Sequence, residues 1–157
     1  DKYYILGIFL FSIVQILYSF RYEFRNLRFT IRNFIIIFLG LSILHMILNK
    51  FVVKIDFMWT MGLFYGLCLL TSVRRAFKAY KYKIYPEPNR KMILIGMILF
   101  LLCDINVGLY NILGYINKTN TLYSISSISM WLFYLPSQVL LALSGDNYNS
   151  KGLKMWK

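Results

Sequence analysis

An aspartate stands in the middle of an apolar run. LFLLCDINVGLYN, residues 99–111, holds Asp104 with Asn106 and Asn111 close behind. A carboxyl group in such a place can relay a proton, act as a general acid or base, or anchor a polar ligand. The plainer alternative is a buried aspartate bonded to a neighbouring helix. If the run crosses a bilayer, an aspartate at its centre costs about 2.5–3.5 kcal/mol on insertion scales. It must then face a helix interface or a wet cavity, or be protonated. Asp104, Gly108 and Asn111 recur at i, i+4 and i+7, on one helix face. Asn106 and Tyr110 form a second i, i+4 pair, about a third of a turn or more away. Gly108 would let another helix or a ligand come close.

A second apolar run, WLFYLPSQVLLALS at residues 131–144, carries Tyr134 and Gln138 at i and i+4, with Ser127 and Trp131 on the same side. A buried glutamine has four hydrogen-bonding positions to fill, and Asp104 is a sensible partner. The alternative role for Gln138 is helix–helix glue. Ser137 adjoins Pro136, whose ring frees the carbonyl of Leu132, so a kink is expected. Gln15 and Tyr18 are mid-span and three residues apart. Ser42 and His45, and Tyr65 and Cys68, are further i, i+3 pairs. His45 is the single histidine, and alone it cannot build a histidine metal site. Cys68 and Cys103 fall in apolar runs without ligand spacing and read as small packing residues. No GxSxG, no Ser–His–Asp order and no phosphate loop occurs. Neither a metal nor a cofactor is expected.

The elements that must position these residues are apolar. The 157 residues are 59% hydrophobic with a formal charge of +12 and a mean hydropathy of +0.57. That basicity in a soluble chain would suggest nucleic acid. Here the apolar content argues against it, because several runs approach the roughly 20 residues that cross a bilayer. The reading is an all-α, polytopic membrane helix bundle with five spans, at 3–20, 33–51, 55–73, 92–116 and 122–143. One helical domain would occupy 1–146, followed by a basic tail at 147–157. Aromatic residues such as Tyr3, Tyr22, Trp59 and Tyr80 suit interface belts. Residues 21–32 hold Arg21, Arg25, Arg28 and Arg32 against Glu23; residues 74–91 hold seven cations; the tail holds Lys151, Lys154 and Lys157. The other loops carry only Lys50 and Lys54, or Lys118. The positive-inside rule puts the basic loops and the C-terminus in the cytoplasm. Asp1 then falls outside. With no initiating methionine and no visible signal peptide, further spans are expected upstream. YPEPN, residues 85–89, should form a rigid extended or turn segment. Asn117-Lys118-Thr119 matches a glycosylation sequon, and chance is the better explanation in so short a loop.

GMILFLLCDINVGLYNI at 96–112, followed by WLFYLPSQVLLALS, resembles the YhhN-type family of integral membrane proteins, the lysoplasmalogenase family. Asp104 and Gln138 fall on the family's motif positions. LGIFLFSIVQILYSF at 6–20 resembles an earlier family helix, with Tyr18 matching its tyrosine. MWTMGLFYGLCLLTSVRRAF at 58–77 resembles the helix that follows, less specifically. The resemblance implies an eight-helix fold in a bacterial cell membrane, with both termini cytoplasmic. It implies hydrolysis of the vinyl-ether bond of lysoplasmalogens, so membrane lipids and a lysophospholipid substrate would be the partners. Asp104 and Gln138 would be catalytic; Asn106, Asn111, Tyr134, Tyr18 and Gln15 would line the substrate site. Two departures stand out. Gln15 replaces the family's usual histidine, so no imidazole base can be placed there. The family's Gly-Asp pair lies in a helix preceding those seen here; three such helices would complete eight and supply a second carboxylate. A non-catalytic lipid-binding protein or a transporter of the same fold is the competing expectation.

Overall fold

The computed structural model describes residues 2–22, 27–51, 54–116 and 121–146. The sequon, Glu23, Arg25 and the tail at 147–157 lie outside them. Every regular element among the described residues is an α-helix: α1 (Lys2–Tyr22), α2 (Leu27–Phe51), α3 (Phe57–Lys81), α4 (Asn89–Ile116) and α5 (Thr121–Leu143). All five are long and apolar enough to cross a membrane. The chain divides into two compact units, Asp1–Arg75 and Ala76–Lys157.

Helix is the necessary choice in such a sequence, because hydrocarbon offers backbone amides no partner outside the segment itself. The five expected spans are found, each to within three residues except at two ends, where helices overrun by six residues or more. α2 starts six residues before 33, taking in Arg28 and Arg32, and α3 continues eight residues beyond 73. Hydropathy falls where charge begins. Helix propensity does not, since arginine, lysine and alanine all favour helix.

α3 is capped at both ends by recognisable devices. Asp56 is its N-cap, its Oδ1 accepting from the Met58 amide at 3.0 Å. At the other end Ile84 N–H bonds Ala79 O at 3.0 Å and Lys83 N–H bonds Tyr80 O at 3.2 Å. That pair of bonds is a Schellman motif, and its left-handed position is occupied by Lys83 at φ 53°. The YPEPN turn follows as expected. α4 then opens on Pro88, whose carbonyl accepts from the Lys91 and Met92 amides.

Within the first unit the helices are apolar outside and polar inside. Ser12, Gln15, Ser19 and Tyr22 are all buried and repeat at three- and four-residue steps along one face of α1. Ser72 of α3 donates to Gln15 O at 2.7 Å, and its hydroxyl meets that of Ser19 at 3.0 Å. Arg75 completes the seam. Its guanidinium donates to Ser19 O at 3.0 Å and to Thr30 Oγ1 of α2 at 2.9 Å. Its position at the end of an apolar span suggested only a cytoplasmic charge, yet it joins three helices. A small apolar core of Phe34, Phe64 and Cys68, with Ile16, Ile37, Phe38 and Leu41 against it, sits beside this seam.

The second unit holds the last turns of α3 and the helical hairpin of α4 and α5. The two hairpin helices meet at Gly96, where an added Cβ would lie 2.9 Å from Leu141 Cγ and 3.3 Å from Ser137 O. Asn89 ties the basic end shut, donating to Ser144 O at 3.0 Å and to Asp146 O at 2.7 Å. Tyr110 and Tyr123 close the other end, stacked at 4.4 Å with hydroxyls 2.7 Å apart. Outward, Ile95, Ile98, Leu102, Ile105, Leu109, Ile112 and Ile116 are all exposed. They form a continuous stripe suited to lipid tails, not to water.

Candidate functional site

Asp104 lies on α4 at the edge of that lipid-facing stripe. One turn before it, Phe100 is buried; one turn after it, Gly108 is exposed. Asp104 itself is half-buried, so the face carrying it changes from packed to open at its level. Gly108 has open space beside it, since an added Cβ would meet nothing within 4 Å. The close approach of α5 to α4 is at Gly96. Both are glycines in an apolar helix, and only the interhelical register separates their roles.

That register is antiparallel and well marked. Asn89 pairs with Ser144, Gly96 with Ser137 and Leu141, Phe100 with Tyr134 at 6.4 Å between rings, and Tyr110 with Tyr123. Asp104 accordingly faces the 129–133 turn of α5, while Gln138 faces the 95–99 turn of α4. At 1.5 Å rise per residue the two are offset by roughly 8–13 Å along the hairpin. They do not share one level, as a direct hydrogen bond would require. Ser129 falls in the turn opposite Asp104, and Ser124, Ser126 and Ser127 precede it on α5; Asn111 shares the helix face of Asp104, whereas Asn106 lies away from it. Ser126 is buried. These serines gave little signal in sequence, since serine is also common at helix starts and in membrane helix packing.

The two asparagines are partly spent on their own helix. Asn106 Nδ2 donates to Leu102 O and Asn111 Nδ2 to Val107 O, each at 2.8 Å. Their amide oxygens remain for a ligand or water. Tyr134 sits between Phe100 and Trp131, its ring 6.2 Å from the indole. Gln138 is half-buried next to Ser137, whose hydroxyl bonds Tyr134 O at 2.8 Å.

Gln15 and Tyr18 belong to the first unit. Tyr18 stacks on Tyr22 with centroids 6.1 Å apart. Gln15 is fully buried, and neither amide atom of its side chain has a hydrogen-bond partner. A buried primary amide left unpaired costs on the order of 1–3 kcal/mol, so this position is one that water or a polar ligand would relieve.

His45 also has a built environment. Thr60 Oγ1 lies 2.9 Å from its Nδ1, and Asn49 Nδ2 lies 2.9 Å from its Nε2. Hydroxyl, imidazole and amide in a row resemble a nucleophile with its base and orienting group. The donors settle the matter against that role. The Ile55 amide donates to Asn49 Oδ1 at 2.6 Å, so Asn49 presents Nδ2–H to the imidazole. His45 Nε2 therefore accepts, Nδ1 carries the proton, and the ring donates to Thr60. A base would need the opposite tautomer. The network ties the end of α2 to the start of α3. Among the described residues no group of three His, Cys, Asp or Glu side chains could hold a metal ion.

Five membrane-length apolar helices with inward polar seams define an all-α polytopic membrane protein. The sequence model of the YhhN family matches residues 1–145, and the chain belongs to that family. No curated protein and no solved structure matches it.

Proposed function

We propose that this protein is a membrane hydrolase of ether lysophospholipids, cleaving the vinyl-ether bond of a lysoplasmalogen with Asp104 as its proton donor. The observation that carries this reading is the position of Asp104. Among the described residues it is the one acid that lies deep within an apolar helix, half-buried beside lipid-facing residues. Family membership supports the same reading.

The chemistry suits a carboxylic acid. Vinyl-ether hydrolysis begins when a proton is delivered to the β-carbon of the alkene, leaving an oxocarbenium ion. The resulting carboxylate then takes a proton from the water that adds to the cationic carbon. The hemiacetal so formed collapses to an aldehyde and the glycerophospho-alcohol, its hydroxyl proton passing to the departing alcohol oxygen; the proton added to carbon stays in the aldehyde, and Asp104 is left protonated by the water that added. An aspartate at the depth of the lipid tails is placed to reach an alkenyl chain, and a carboxylic acid can deliver the proton of the first step. The offset between Asp104 and Gln138 resembles the reach of a glycerophosphate group. Gln138 is thus assigned to the glycerol or phosphate oxygens, with the alkenyl chain running toward the Tyr110–Tyr123 end. Asn111 offers a carbonyl oxygen on the same helix face.

Gln15 supports a second reading, a lipid-binding or transport protein without catalysis. An amide does not exchange protons as an imidazole would, and its buried, unpaired state suits ligand binding. Aldehyde release from lysoplasmalogen by the purified protein separates the two. Asp104→Asn keeps shape but can neither donate a carboxylic proton nor act as base, so turnover should fall by about 10²–10⁴-fold. Unchanged turnover would remove Asp104 from the mechanism. Lysoplasmalogen binding without any aldehyde from the unaltered protein would favour the second reading.

A further inference from the structure

We propose that the end of α3 and the turn after it form a docking surface for anionic phospholipid headgroups, with Lys78, Lys81 and Lys83 as the phosphate-binding cations. The placement follows from length. α3 has 25 residues, about 37 Å at 1.5 Å per residue, against a hydrocarbon core of about 30 Å. With Phe57 and Trp59 at one interface, the last turns of α3 reach the headgroup layer at the other. Ala76 and Ala79 are fully buried there, while Phe77, Tyr80, Tyr82 and Ile84 are exposed. Aromatic rings at that depth are typical of the membrane interface.

The charge is unbalanced and available. Between Ala76 and Lys91 there are five cations and one acid, Glu87. Glu87 is already engaged by Arg90 and Lys91, and its bond from Arg90 holds the carboxyl below its ordinary range. Arg90 also lies over the Tyr80 ring at 5.9 Å. Lys78, Lys81 and Lys83 are exposed and have no ion-pair partner among the described residues. The Lys81 ammonium lies 6.0 Å from the Tyr82 ring, a contact that leaves its other donors free. The Schellman turn fixes Lys83 beside Ile84, so a cation and an apolar anchor leave the helix end together. A surface of cations over interfacial aromatics complements an anionic headgroup above its own acyl chains. An acidic soluble protein would gain nothing from Phe77 and Ile84.

The test counts lipids retained by the whole purified protein in mixed micelles of phosphatidylglycerol and phosphatidylcholine, read by native mass spectrometry. The unaltered protein should retain phosphatidylglycerol preferentially, and the preference should fall as salt rises. Each lysine near an anionic surface is worth about fivefold in binding, so Lys78→Gln, Lys81→Gln and Lys83→Gln together should weaken phosphatidylglycerol retention on the order of 100-fold. These side chains are exposed, and helix content by circular dichroism should be unchanged. Arg28→Gln with Arg32→Gln, removing charge from α2 instead, should cost far less per charge. Equal retention of both lipids by the unaltered protein overturns the proposal. So does a loss from the α2 variant that matches the triple variant charge for charge.

Discussion

Lys83 shows how a single residue can be at odds with the backbone it occupies. The Schellman turn that ends α3 needs a left-handed residue, and a lysine there meets the Cβ–carbonyl conflict that glycine avoids. Lys83→Gly should stabilise the protein by about 1 kcal/mol, seen as a raised midpoint in thermal unfolding in detergent, and Lys83→Val should lower it. Gly96 is the reverse case. Its Cα faces Leu141 and the Ser137 carbonyl with no room for a branched side chain. Gly96→Val should separate the α4–α5 hairpin and lower the unfolding midpoint sharply, whereas Gly108→Ala, in open space, should be neutral. Equal effects at the two glycines would contradict the register on which the assignment of Asp104 and Gln138 to different levels depends. Asp104 and Gln15 were legible as residues because polar groups in apolar runs are costly. Which glycine carried the packing was not, because composition and spacing treat the two alike.

Two side chains act at the scale of whole elements. Asn89, buried at the start of α4, donates both amide hydrogens to carbonyls at the end of α5. Asn89→Ala should cost about 1–3 kcal/mol by leaving those carbonyls unpaired. Asn89→Asp should cost more, since a carboxylate would face them without a proton to offer. Unfolding in denaturant, compared across the three proteins, checks the order. Arg75 plays the corresponding part in the first unit, holding α1 and α2 from α3. A lysine cannot fork between Ser19 O and Thr30 Oγ1, so Arg75→Lys should recover little of the stability lost in Arg75→Ala. Helix existence was legible for all five elements. Helix length was not, because the hydropathy signal reports hydrocarbon thickness whereas the helix ends where its caps are. Asp56 and the Lys83 turn set those ends for α3.

At the scale of the molecule, the alternation of basic and charge-poor loops makes a prediction about orientation. A cysteine introduced at Lys118 should react with an impermeant thiol reagent added from outside, and one at Lys81 should not. The native cysteines, Cys68 and Cys103, are buried and should give little background. The reverse labelling pattern would invert the topology and move the proposed lipid-docking lysines to the other leaflet.

The amino-acid sequence by itself determined the class of protein. Apolar runs of membrane length can satisfy their backbones only as helices, and intramembrane polar residues must turn away from lipid. Those two constraints need no knowledge of neighbours, so they can be read from one chain. The tertiary structure decided what depends on neighbours. It put the close approach of α4 and α5 at Gly96, offset Asp104 from Gln138 along the hairpin, made Arg75 a clamp, and fixed the His45 tautomer against a role as base. Each rests on an interhelical register or a hydrogen-bond direction. Residues far apart in sequence set those together, and no local pattern encodes them.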